Sequence, residues 1–264
     1  MMTTVDVTER APLTHADAMQ LQQVELDRTL EVLRQLTPEQ WRAQTDCPAW
    51  DVHHMYLHVL GACEASASMR ENLHQMVAAK RHQRRNGGPL EAGLSHVQVQ
   101  DRAHLSPDGL IERLTEIAPV TVRKRTKMPA VMRRARMSVD GPVIEKWRLG
   151  YLIDTIYLRD AWMHRVDLSR ATGREMDLRP DHDGRIVADV VAEWARRHGR
   201  PFTLVLHGVA GGTYRSAGRA EAATEDEDGD IDGPVIELDA VEFCRIHAGR
   251  VPAPHPLFDT IVPF

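Results

Sequence analysis

Cysteine is scarce in this chain. Among 264 residues there are three, Cys47, Cys63 and Cys244. Their number is odd, they lie far apart and no C-x-x-C pair occurs, which excludes a disulfide framework and fits a reducing compartment. Long apolar runs are missing as well: no stretch approaches the roughly 18–20 apolar residues of a membrane span. The opening residues, Met1 to Met19, lack an apolar segment following a basic one, so no secretory signal is read and the expected location is the cytoplasm. Positive charge is not in excess. A net charge of -5 argues against a dedicated nucleic-acid binder, because the phosphate backbone rewards a basic surface. What remains, 42% hydrophobic and 27% charged residues, is ordinary for a soluble globular protein. No internal repeat is found, and the length accommodates two domains.

The pattern of the first two thirds is helical. Residues 1–12 read as a loose lead-in. Thr14 caps a long amphipathic run through Leu21, Val24, Leu30, Leu33 and Leu36, with Asp17 placed to suit the helix dipole. Thr37-Pro38-Glu39 restarts a short helix, with Pro at its first position. Asp46 to Trp50 is a turn, and Asp51 caps a second long helix predicted from Val52 to Arg85, stopped by Asn86-Gly87-Gly88-Pro89. Ser106-Pro107-Asp108 opens a third helix that Pro119 should kink or end. A fourth is predicted from Ile144 to Leu168, with Gly173 just past its end. The texture then changes: a helix over Asp181 to His198, strands at Phe202–His207, Gly211–Arg215 and Pro234–Leu238, and a short helix Ala240–Ala248 capped by Asp239. The expected fold is therefore α+β: a four-helix bundle over residues 14–177 and a small α+β domain over 178–264.

Two groupings carry possible chemistry. Asp160 and His164 stand four apart on the fourth helix, so their side chains share one face and can hold a metal ion or form a plain helix-surface pair. His58 sits among apolar residues in Tyr56-Leu57-His58-Val59-Leu60, as either a ligand or a hydrogen-bonded core histidine. His54, one turn earlier, is a competing ligand on a wetter first turn.

Leu36-Thr37-Pro38-Glu39-Gln40-Trp41, Thr45-Asp46-Cys47-Pro48-Ala49-Trp50-Asp51-Val52 and His58-Val59-Leu60-Gly61 together resemble the start of the DinB-like, mycothiol-dependent maleylpyruvate isomerase family. Leu158 to Asp167 followed by Ala171-Thr172-Gly173-Arg174 is similar to that family's second signature. Leu206-His207-Gly208, Ala248-Gly249-Arg250 and the ending Val262-Pro263-Phe264 are similar to its sterol-carrier-like second domain. The resemblance implies a DinB-like bundle that binds a divalent metal, zinc first, through His58, Asp160 and His164, with Asp160 standing where the family usually has Glu or His. It implies mycothiol or a similar low-molecular-weight thiol as cosubstrate and a small-molecule electrophile as substrate. Three protein ligands leave an open position for a thiol or water, whose pKa the cation lowers. The thiolate could add reversibly to an activated double bond and allow cis–trans isomerisation, or displace a leaving group as an S-transferase; water would favour hydrolysis. Arg250 is a candidate to grip an anionic substrate group, against a solvated arginine at a helix end. His207 is read chiefly as a strand-end histidine. The rival expectations are a non-catalytic protein binding a small apolar ligand, and a regulatory protein whose basic segment contacts nucleic acid.

Other features point to bland roles. Asp228 to Gly233 followed by Asp239 nearly matches a calcium loop, but Asp replaces the twelfth-position Glu and no preceding helix is evident, so a solvated acidic loop is expected. Seven basic residues between Arg123 and Arg136, and four more between Lys80 and Arg85, lack the interleaved aromatics that base stacking would want. Trp41, Trp50, Trp147, Trp162 and Trp194 are expected in core and interdomain packing.

Overall fold

Part of the opening segment, expected as a loose lead-in, is a strand. In the computed structural model, which describes residues 4–7, 10–141, 143–218 and 233–264, Thr4–Asp6 form strand β1 and pair in parallel with a strand more than 200 residues later, Thr4 opposite Thr213. The chain divides into two compact units. One is residues 14–175; the other is 176–264 with the described residues before 14. Among the described residues no helix is long and apolar enough to cross a membrane.

The first unit is built on four long helices: α1 (His15–Leu33), α3 (Val52–Ala67), α6 (Pro107–Thr126) and α9 (Tyr157–Thr172). Each begins where local chemistry satisfies free backbone N–H groups, except α9. Thr14 and Asp17 form a capping box on α1, Thr37 and Gln40 another on the short α2 (Pro38–Trp41), Asp51 accepts from His54 N on α3, and Ser106 accepts from Gly109 N on α6. The shared core takes Leu26, Leu30 and Leu33 from α1, Met55, Tyr56, Leu57 and Leu60 from α3, Leu110, Leu114 and Ala118 from α6, and Leu168 from α9. Each large side chain so buried contributes about 1.5–3 kcal/mol. That explains why Pro119 does not end α6. It removes one backbone bond at a cost of ~3 kcal/mol, while Leu110, Leu114, Ala118 and Thr121 around it are fully buried.

Three further expectations are corrected. The helix read as continuous from Val52 to Arg85 is two, α3 and α4 (Met69–Asn86). Ser68 leaves the helical region (φ -136°, ψ 118°), ends α3 by donating its N–H to Glu64 O at 3.0 Å, and starts α4 by accepting from Glu71 N at 3.3 Å. A helix unread in the sequence, α5 (Leu90–Gln100), packs on α4 and α3. The fourth helix does not start at Ile144. After the short α7 (Ala130–Arg133), Arg136–Asp140 and Ile144–Arg148 form an antiparallel hairpin, β2 and β3, with Met137 opposite Trp147. Helix begins only at α8 (Leu149–Tyr151) and passes through a π-turn, Leu152–Ile156, into α9.

The second unit is the small α+β one. A helix, α10 (Asp183–His198), ends on Gly199 in the left-handed region, φ 68°, where a glycine avoids the Cβ clash. Strands β4 (Pro201–His207), β5 (Gly212–Ala217) and β6 (Val235–Asp239) follow, with sheet order β1-β5-β4-β6. β4 pairs antiparallel with β5 and parallel with β6. Helix α11 (Ala240–His247), capped by Asp239, and a 3-10 turn (Pro256–Asp259) complete it. Trp194 centres this core, with Phe202, Phe243 and Phe258 ring centroids 4.7, 5.6 and 5.4 Å away and its indole N–H donating to Leu257 O at 2.9 Å. The acidic segment Glu225 to Asp232, weighed above as a calcium loop, lies outside the described residues.

Candidate functional site

The turn before α3 is tied by its own polar side chains. Thr45 Oγ1 donates to Trp50 O at 2.7 Å, Gln44 Nε2 donates to the same carbonyl at 2.9 Å, and Trp50 N donates to Cys47 O at 2.9 Å. This fixes Trp50 and Cys47 against the first turns of α3. One and a half turns into that helix, His58 lies under the indole, ring centroids 5.0 Å apart and planes 26° from parallel.

From α9, Asp160 and His164 face His58. Asp160 Oδ1 is 3.3 Å from His164 Nε2, and Asp160 Oδ2 is 4.0 Å from His58 Nε2. The two imidazoles stand edge to face at 5.5 Å. One donor atom from each of the three residues lies within 4.8 Å of the others. The His164 side chain is 5% exposed, His58 14% and Asp160 33%, so the cluster is buried on the histidine side and reachable at the carboxylate.

The environment divides the two histidines. Burial pushes His58 down to about 4, only partly opposed by Asp160, and the charge on His164 lowers it further. Burial also disfavours a charge on His164, but Asp160, then Asp167 and Cys47, outweigh that and hold its pKa well above the usual histidine value. Asp167, itself fully buried, lies with Oδ2 3.4 Å from His164 Nδ1, and the Cys47 thiol donates to the same oxygen at 3.7 Å. His164 thus presents Nδ1 to Asp167 and Nε2 to Asp160.

The donor set suits a divalent cation. His164 Nε2, the nitrogen turned to Asp160, is buried without completing a hydrogen bond among the described residues, an arrangement that costs stability unless something else engages the site; on His58 the nitrogen turned to Asp160 is Nε2, and it is the other one, Nδ1, that is buried without a bond. Ligand atoms on a tetrahedral zinc, with bonds of about 2.0–2.1 Å, lie roughly 3.3 Å apart. Asp160 Oδ1 and His164 Nε2 already have that separation, while His58 Nε2 lies 4.0 Å from the other carboxylate oxygen, Oδ2. Two imidazoles and one carboxylate leave a coordination position open.

Comparison with known proteins places these helices. Residues 23–169 match the model of the mycothiol maleylpyruvate isomerase N-terminal domain. The chain belongs to that family. The matched span holds His58, Asp160, His164, Trp50 and Asp167 and leaves Arg250 outside it. Among solved structures, the crystal structures of the mycothiol-dependent maleylpyruvate isomerase and of a histidine-to-alanine mutant of it are each similar to the whole chain. Both are 14% identical with a TM-score of 0.56, and cover 94% of this chain and 93% of theirs. At that identity the likeness is one of fold: a helical bundle followed by a small α+β unit. No curated protein matches the chain.

In this family member the other candidates fall elsewhere. His54 pairs with its own cap, Nδ1 to Asp51 Oδ1 at 2.6 Å. His207 is exposed at the end of β4, 3.3 Å from Glu237. Arg250 follows α11 in the second unit, its guanidinium donating to Ala248 O at 3.3 Å. Trp50 is partly buried, packed against the bundle core and stacked on His58; Trp162 and Trp194 are fully buried as expected. Asp167 and Cys47 went unread as site residues. Asp167 had a signal: it stands three residues after His164, on the same helix face.

Proposed function

We propose that the helical unit binds one divalent cation through His58, Asp160 and His164, and that the protein is a mycothiol-type thiol-dependent isomerase or S-transferase acting on a small electrophile. The observation that carries this reading is the convergence of two largely buried imidazoles and a partly exposed carboxylate, with His164 Nε2 lacking a hydrogen bond, inside the span that defines the family.

When bound, a divalent cation lowers the pKa of a coordinated thiol and supplies a nucleophile at neutral pH. The chain's own residues do the rest. Burial keeps His58 neutral, the form in which an imidazole can be a ligand. His164 gives up a proton to become one. Asp167 accepts from His164 Nδ1–H, selecting the tautomer with its Nε2 lone pair toward Asp160, and stiffens the ring. Trp50 stacks on His58, fixes its plane and keeps water from that face. Arg250 is retained as a candidate grip for an anionic group.

The test is metal content by elemental analysis, without a histidine tag, for the wild type and His164→Ala, followed by assay with mycothiol and an electrophilic cis-alkene. About one cation per chain, lost in the variant, with thiol-dependent turnover is the expected result. A wild type that takes up no zinc, nickel or manganese would overturn the reading.

A further inference from the structure

Arg125, near the end of α6, belongs to the basic run between Arg123 and Arg136. It is 6% exposed. Its guanidinium makes three hydrogen bonds, all to neutral groups: Nη1 to Gln22 Oε1 at 2.8 Å, and Nη2 and Nε to Ser66 Oγ at 2.8 and 3.2 Å. The Tyr157 ring packs over it, 4.1 Å from Cζ to centroid. It forms no ion pair among the described residues. A guanidinium has five N–H donors, so one on each Nη is left over. A spare N–H can donate to an oxygen of an entering anion. Buried cations normally have a counter-charge, because desolvation is costly. Burial does push the Arg125 pKa down, yet it remains an arginine.

The carboxylate that favours its charge is Asp160, which acts on it without forming an ion pair. Arg125, Tyr157, Cys63, Gln22 and Ala62 line a small crevice whose other wall is Asp160. The space for water-sized atoms is about 20 Å³, enough for a water or an oxygen of an entering group but not for a ring.

We propose that this crevice is an anion subsite in which Arg125 binds one oxygen of a substrate carboxylate, holding the reactive carbon beside the His58–Asp160–His164 cluster. The proposal rests on the cation-binding reading to the extent that a cation on Asp160 removes the repulsion between that carboxylate and the incoming one.

The experiment is calorimetric titration of the full chain with maleate and, as an uncharged control, dimethyl maleate, with and without zinc. Metal content is measured in parallel. Loss of a charge-assisted pair should weaken maleate binding about ten- to a hundredfold in Arg125→Gln, less in Arg125→Lys, and leave the ester unaffected. Ala62→Leu, which keeps the arginine and adds bulk to the crevice that Ala62 lines, should weaken maleate similarly and covers the case in which Arg125→Gln does not fold. A wild type blind to maleate, or a folded Arg125→Gln or Ala62→Leu protein that binds it as the wild type does, overturns the proposal. Arg125-dependent maleate binding by a protein that takes up no metal keeps the subsite and removes the cation reading. Zinc uptake with Arg125-independent binding does the reverse.

Discussion

Asp167→Asn is the sharpest probe of the site, because it changes one charge and almost no volume. Asp167 Oδ2 lies 3.4 Å from His164 Nδ1, longer than an ordinary N–H···O bond, and the residue is fully buried. Partners of this kind behind a ligating histidine are worth about 10–100-fold in metal affinity. The stretched contact places this one in the lower half of that range, about 10–30-fold, or roughly 1.4–2 kcal/mol. A second effect runs the other way. Asp167 helps to hold the His164 pKa high, so in the wild type a bound proton competes with the metal. The variant loses part of that competition. Its deficit should therefore be largest near pH 8 and shrink toward about pH 6. The assay is competition with a chromogenic zinc chelator at both pH values, with thermal melts to verify that the variant is folded. Wild-type affinity in a cooperatively melting Asp167→Asn protein at pH 8 would refute the orienting role. A deficit that grows as pH falls would refute the account of His164.

Two further outcomes are expected. Arg102, 5% exposed, bonds Glu64, reaches Glu71 at 2.7 Å and donates to Gln98 O at 3.0 Å. Arg102→Met strands buried Glu64 with only the exposed Arg113, and urea unfolding should show a loss of about 3 kcal/mol; a neutral result would mean that Arg113 alone compensates. In the second unit, burial first and then Arg200 push His198 down to about 4. Its Nδ1 accepts from Arg200 N at 3.0 Å and its ring lies 4.4 Å from Trp194. The unfolded chain takes up that proton near pH 6.5 and the folded one near 4, so this stability is complete above about pH 6.5 and is lost as pH falls toward about 4. In His198→Gln the pH dependence of unfolding, read from Trp194 fluorescence, should flatten over that window, and an unchanged slope would assign it to other groups.

How far these features could be read in advance depended on range. Caps at Thr14, Thr37, Asp51 and Ser106 are decided by a few neighbouring residues, and each starts a helix where the sequence placed it. The Asp160–His164 pairing is one helical turn and equally local. That His58 completes the cluster depends on how α3 lies against α9, and no spacing within either helix encodes it; family resemblance supplied it. The failures have the same origin. Ser68 is a cap and looks like a helix interior residue until its backbone angles are known. Ile144 and Trp147 fit a helical stripe three apart, but Met137 and Val139 form the partner that makes Ile144–Arg148 a strand. β1 exists only because β5 is there to pair with it. Arg125 was hidden by its neighbours: in a run of seven basic residues, nothing local says which one points inward.

One residue connects the irregular part of the bundle to its chemistry. The π-turn at Leu152–Ile156 widens the helix just before α9 and disturbs the regular i to i-4 ladder. Gln22, from α1 and almost fully buried, donates its amide N–H to Ile153 O at 2.6 Å, while its own carbonyl oxygen accepts from Arg125 at 2.8 Å. A side chain with a donor and an acceptor is required here, because the backbone oxygen and the guanidinium need opposite partners. The same turn sets the phase of every residue after it, since one extra residue per turn rotates the following helix by about 100°. Without it, Asp160 and His164 would face away from His58, and Tyr157 would leave Arg125. The widened turn is thus what lets a single helix present a carboxylate and an imidazole to α3 and an aromatic ring to α6, with Gln22 as the strut that keeps it open.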